Sequence, residues 1–169
     1  MLIGRAWLMP LATALGVAEE VVDHATGVAA QLLWLPPAVA LLAALGYTAR
    51  SIYAAIAFVV ISPTIFANTV FTWPKMLAAA FAIAAVAVLI GGLRGGERPA
   101  RAIVLASGLS AFGLLSHGAA AFVLPLILPL AAVLLWRIVA RRRWMVALGA
   151  AGVATLVYAP WLLYQRFLY

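Results

Sequence analysis

The sequence predicts an all-α fold, a polytopic transmembrane helical bundle of about six or seven membrane helices forming one domain over residues 1–169. Three observations carry this reading. Hydrophobic residues make up 68% of the chain and charged residues only 9%, with a mean hydropathy of +1.17. A soluble domain draws about a quarter of its residues from the charged types, so this chain has too few polar side chains to cover a globule, and lipid is the solvent that suits it. The apolar residues fall into runs of roughly bilayer length without the short period-2 alternation of a membrane barrel. Finally, the 11 Lys+Arg exceed the 4 Asp+Glu, yet the arginines punctuate apolar runs instead of forming a basic stripe with interleaved aromatics. That distribution excludes a nucleic-acid surface. Cysteine is absent, which excludes disulfides, thiolate metal sites and cysteine nucleophiles.

Taken in order, residues 3–18 form the first run, with Arg5 near its start and Gly16-Val-Ala18 ahead of Glu19. It reads as a membrane anchor, favoured by Pro10 and the continuing hydrophobicity, or as a signal peptide with a small-residue cleavage site. Both readings deliver residue 19 to the same side. A short acidic loop over Glu19–His24 precedes a helix over 28–48, and a second helix covers 51–70. Helix 74–93 opens on Pro74, a residue suited to the first turn, where its missing N–H costs nothing. Helices over 102–116, 119–137 and 144–164 complete the chain. Pro36-Pro37, Pro63, Pro125 and Pro129 are expected to bend their helices.

Arg50 marks one connection, Arg94-Gly-Gly-Glu-Arg-Pro-Ala-Arg101 the next but one, and Arg137 with Arg141-Arg-Arg143 the next but one again. With Arg5, this alternation assigns nine of the eleven cations to the cytoplasmic side. The arginine clusters read as topology signals, with anionic lipid as a contact.

The opposite face holds three of the four acids, both histidines and the only lysine. Lys75, beside Trp73 and Pro74, reads either as an interfacial anchor snorkelling to the headgroups or as a point charge that meets a phosphate. His117, between Ser116 and Gly118, is either a hydrogen-bonded packing residue or a donor to a phosphate or sugar hydroxyl. Asn68, Trp73 and Arg166 fall on the same side and complete the candidate lipid-phosphate contacts. Glu19, Glu20 and Asp23 are the candidate general bases; with His24 they are also the only group that could hold a divalent cation. An acidic connection between two spans is more often simply solvated, so no metal ligand is assigned.

Several stretches on this face resemble the GT-C superfamily of polytopic membrane glycosyltransferases, including its bacterial mannosyltransferase-like members. Ser62-Pro63 followed by Asn68-Thr-Val-Phe-Thr-Trp-Pro-Lys-Met-Leu77 resembles the region where one helix of those enzymes ends outside and the next begins with a basic residue. Gly113-Leu-Leu-Ser-His-Gly118 is similar to their Gly-x-x-Leu-Thr-Lys-Gly turn, with histidine where many members have lysine. Tyr158-Ala-Pro-Trp-Leu162 is similar to their Pro-Trp at the end of a later helix. The resemblance runs across residues 35–166.

It implies inverting transfer of a sugar from a polyprenyl-phosphate donor on the extracytoplasmic face of a bacterial cytoplasmic membrane. Lys75 and His117 match positions where the family holds the donor phosphate. The Glu19–His24 segment does not match the family's catalytic acidic loop, so the chain is expected to be an internal portion or a short relative of such an enzyme. The alternatives from other classes are a non-catalytic protein that binds or moves lipid-linked intermediates, and a structural subunit packed against partner membrane subunits.

Overall fold

The computed structural model describes residues 10, 13–14, 16–63, 65, 67, 74–95 and 98–168, and among them every regular element is helical. Helices α1 (Glu19–Leu32), α2 (Leu35–Ala44) and α3 (Ala49–Val60) come first. They are followed by α4 (Pro74–Leu93), α5 (Pro99–Ser116), a short 3-10 helix (Gly118–Val123), α6 (Leu124–Trp136) and α7 (Ala140–Leu168). Five helical stretches among the described residues are long and apolar enough to cross a membrane: Glu20–Ala44, Lys75–Leu93, Pro99–Ser116, Gly118–Trp136 and Ala140–Phe167. This is an integral membrane protein built as an all-α bundle.

Helix α4 matches its expected bounds; four other expectations are corrected. The acidic segment expected as a loop is the first turns of α1. Carboxylates such as Glu20 are favoured there by the partial positive charge of the helix start. The single helix expected over 28–48 divides at Leu33-Trp34, because Pro36 and Pro37 have no N–H to offer the carbonyls one turn earlier. The helix expected over 51–70 breaks after Val60, where Ile61 and Ser62 donate back to the carbonyls of Ala57 and Val59. Pro63, Ile65 and Ala67 are again helical, and 64, 66 and 68–70 lie outside the described residues. Helix α7 starts at Ala140, so Arg141–Arg143 are helical and the connection from α6 shrinks to Arg137–Val139. Arginine is a good helix former, and an apolar-run criterion overlooks it. Most of the first expected run, 3–18, lies outside the described residues.

The turns are set by local chemistry. Gly46, at φ +88°, ends α2 in a Schellman motif in which its own N–H donates to Ala43 O (2.9 Å) and that of Tyr47 to Leu42 O (3.1 Å). Thr48 then caps α3 by accepting from the Ser51 N–H at 3.3 Å. Pro99 occupies the first turn of α5 behind an extended Arg98, which starts that helix three residues ahead of the apolar run.

Helix α4 is the centre of the bundle. It packs against α1, α2, α5 and α6, while α5 carries α7 on its far side. Ala85, Val86 and Leu89 of α4 meet Ala102, Ile103 and Ala106 of α5 and Ile127 and Leu134 of α6 in one buried cluster. Small side chains let these backbones approach, which is the source of packing energy where lipid supplies no hydrophobic drive. A Cβ added to Gly92 would lie 2.8 Å from Ala102 Cβ, and one added to Gly108 would lie 3.0 Å from Val153 Cγ1. Ser107 Oγ donates to Ala150 O at 2.6 Å, fastening α5 to α7. Phe58, Phe122 and Leu156 are more than three-quarters exposed, as suits a lipid-facing perimeter.

Candidate functional site

The antiparallel course of the helices gathers the chain's polar groups at two ends. At one end lie the C-termini of α2, α4 and α6. The last carbonyls of a helix have no partner within it and carry partial negative charge, and here arginines satisfy them. Arg94 Nη2 donates to Leu45 O at 2.8 Å, and Arg137 Nη1 donates to Leu93 O at 2.6 Å. Arg143 donates through Nε to Ile138 O (2.9 Å) and through Nη2 to Trp136 O (2.8 Å). The arginine-bearing connections expected on one side therefore do share one end of the molecule. Several of these cations are helix caps as well, a role the sequence reading did not assign.

The opposite end contains a cleft of about 660 Å³ between α1, α4, α5 and α7. Leu77, Phe112, Leu115 and Val157 give it apolar walls, and Gln31, Ser116 and Tyr164 bring the polar atoms. Gln31 is 1% exposed. Its position in an otherwise apolar run was a readable signal, since an amide within a span is expensive to bury and marks a helix contact or a ligand. Trp161 and Tyr164 stack at 5.7 Å, forming a flat aromatic wall where α7 passes Pro160. Ser116 Oγ donates to Phe112 O at 2.9 Å, so its hydroxyl proton is committed to its own helix while its oxygen still borders the cleft.

His117 and Lys75 stand at this same end. Helix α5 stops at His117, which is extended, and its Nδ1 accepts from the Ala119 N–H at 3.0 Å to cap the 3-10 helix. An accepting Nδ1 fixes the neutral tautomer with the proton on Nε2. The packing and ligand readings are thus separated by atom, with Nδ1 used in the turn and Nε2 left as a donor. Lys75 is exposed on the first turn of α4. The next turn of α4 lies beside α5 here, since Ala78 O would be 3.5 Å from a Cβ on Gly113, one turn before His117. The cleft, Lys75 and His117 therefore share one end; Lys75 and His117 do not line the cleft but are close in sequence to Leu77 and Ser116, which do.

Other candidates stand apart. Glu20, Asp23 and His24 are exposed on α1 and do not line the cleft. Among the described residues no three His, Asp or Glu side chains come together as a cation site. Arg166 is exposed near the end of α7 and also lies off the cleft lining. Tyr158, part of the Pro-Trp stretch, borders a separate groove between α5, α6 and α7. Asn68 and Trp73 lie outside the described residues, and nothing is described of the Glu19 side chain.

No family model matches this chain, and no curated protein and no solved structure matches it significantly.

Proposed function

We propose that this chain is the donor-binding membrane portion of a GT-C-like glycosyltransferase, holding a polyprenyl-phosphate-linked sugar at the extracytoplasmic face of a bacterial cytoplasmic membrane. The observation that carries the reading is the cleft of about 660 Å³ at the end where Lys75 and His117 stand. Its apolar walls suit an isoprenoid chain, and its few polar atoms suit a headgroup that must be oriented. The Lys75 ammonium and the His117 Nε2–H supply charge and a donor for the phosphate. Each of the three stretches that resemble the superfamily has a residue at this end, His117 in one, Lys75 in another and Trp161 in the third, and of these Trp161 lines the cleft.

A second reading, a non-catalytic protein that binds or moves lipid-linked intermediates, is favoured by one observation. Neither Glu20 nor Asp23 lines the cleft, so no described carboxylate is placed to take a proton from an acceptor there. Under this reading Asp23→Ala leaves lipid handling unchanged.

The test is binding of a short-chain isoprenyl phosphate to the full chain in nanodiscs. Lys75→Gln is expected to weaken binding roughly fivefold, about 1 kcal/mol, with Lys75→Arg close to wild type. Equal binding by wild type and Lys75→Gln would reduce the lysine to an interface anchor and overturn the proposal. Orientation is checked separately with an impermeant thiol reagent. Ser116→Cys is expected to react from outside and Arg142→Cys is not; the reverse pattern would place the cleft on the cytoplasmic side.

A further inference from the structure

At the arginine end, a second cleft of about 420 Å³ opens between the last turns of α6 and the first turns of α7. Leu135 and Ala147 line its apolar part, and Trp136, Arg143 and Trp144 line its outer part. Both tryptophans are unusually open for their size, at 76% and 77% exposure. Arg143 is held rigidly, because its two carbonyl bonds fix the guanidinium 4.7 Å from the centroid of the Trp136 ring. Those bonds use Nε and one Nη2 proton, and the remaining N–H groups of the fork lie on its other edges. Arg141 and Arg142, on the turn before, are exposed.

The cleft does not stand alone along this seam. Further along the same two helices, Ile127, Leu128 and Ala131 of α6 and Ala150 and Ala154 of α7 border the groove of about 380 Å³. The pair of helices therefore carries a cationic, aromatic cleft at the arginine end and an apolar groove nearer the middle of the bundle. Ala147 to Ala154 alone covers about 10 Å of helix axis.

We infer that this seam is a binding site for an anionic phospholipid. Its phosphate sits at Arg143, its glycerol backbone lies between Trp136 and Trp144, and an acyl chain runs along α6 and α7. Charge complementarity selects the occupant. The connections at this end carry Arg50, Arg94, Arg98, Arg101, Arg137 and Arg141–Arg143 against the single acid Glu97, which lies outside the described residues. A soluble acidic partner would satisfy the arginines but could not follow the apolar continuation into the span. A zwitterionic lipid would fill the groove but brings its own cation to the arginines. An anionic phospholipid meets both requirements.

Quenching of tryptophan fluorescence by brominated lipids tests this in the full chain, reconstituted in phosphatidylcholine vesicles. Brominated phosphatidylglycerol is expected to quench several-fold more effectively than brominated phosphatidylcholine at equal mole fraction. The preference should fall roughly fivefold in Arg143→Gln, which removes the arginine of the cleft, and by less in Arg141→Gln and Arg142→Gln, which do not line it and break no described intramolecular bond. A Trp136→Phe/Trp144→Phe variant should lose most of the excess quenching while the other tryptophans still report. Equal quenching by the two lipids, or a preference unchanged in Arg143→Gln, overturns the site. So does loss of the preference on adding millimolar inorganic phosphate, which would mark an ion site without a lipid.

Discussion

The two ends of the bundle close their helices by different means. At the arginine end, Arg94 reaches a carbonyl 49 positions away and Arg137 one 44 positions away, so each cap joins two separate helices. At the opposite end His117 accepts from an N–H only two residues on, and Ser116 bonds within its own helix. Long-range charged caps hold the first end together. At the second end the caps described for Ser116 and His117 are local, and α1, α4, α5 and α7 border the cleft there. Closure of helices by long-range charged caps is thereby a property of the arginine end.

The strongest way to test this division lies along the α4–α5 seam, which has a glycine near each end. Gly92, at the arginine end, would place a Cβ 2.8 Å from Ala102 Cβ, an atom that no rotamer can move. Gly92→Ala must therefore push the helices apart. Overpacking costs about 1–3 kcal/mol, and the better helix propensity of alanine offsets about 1 kcal/mol, leaving a net loss of up to about 2 kcal/mol. Gly113, at the cleft end, faces Ala120 Cβ at 3.3 Å and Phe81 Cβ at 3.4 Å. A shift of a few tenths of an ångström relieves both, so Gly113→Ala should be close to neutral. Denaturation in mixed micelles measures both; equal losses would mean the two ends are packed alike.

This asymmetry was only partly legible in the sequence. Helix α4 was readable to the residue because Pro74 marks its start and the apolar run persists to Leu93. The division of the 28–48 run was signalled by Pro36-Pro37, but their effect on the carbonyls of Leu32 and Leu33 has to be worked out bond by bond. Glu19–His24 looked like a loop because polarity was weighed above helix-end electrostatics. Arg94, Arg137 and Arg143 stood out as charges; which carbonyl each would reach depends on the packing of helices far apart in sequence. The cleft is hidden for the same reason, since it joins Gln31, Leu77, Phe112 and Trp161.

A smaller effect is expected from the charged caps themselves. Arg137→Gln removes the bond to Leu93 O. A hydrogen bond to a charged group contributes about 1.5–3 kcal/mol, and solvent exposure at the helix end reduces this to about 1 kcal/mol. Arg166→Gln, an exposed cation near the opposite end of α7, should change stability by less than about 0.5 kcal/mol. The comparison fails if Arg166→Gln is the more destabilising of the two.

The finest distinction is between the two nitrogens of His117. Nδ1 serves the fold by accepting from Ala119 N–H, and Nε2 is the atom available to a ligand. His117→Ala removes both and should lower stability by about 0.5–1 kcal/mol, the ordinary cost of losing a helix cap. His117→Asn puts a carbonyl oxygen where it can accept the same N–H in an Asx-type turn, so stability should return to within about 0.3 kcal/mol of wild type. The asparagine is too short to place a donor where Nε2 stood. Isoprenyl-phosphate binding should therefore be weakened about equally in both variants, even though only the alanine variant is less stable. If His117→Asn restores binding together with stability, the histidine serves the turn alone, and Lys75 is left as the only described cation proposed to meet the phosphate at that end.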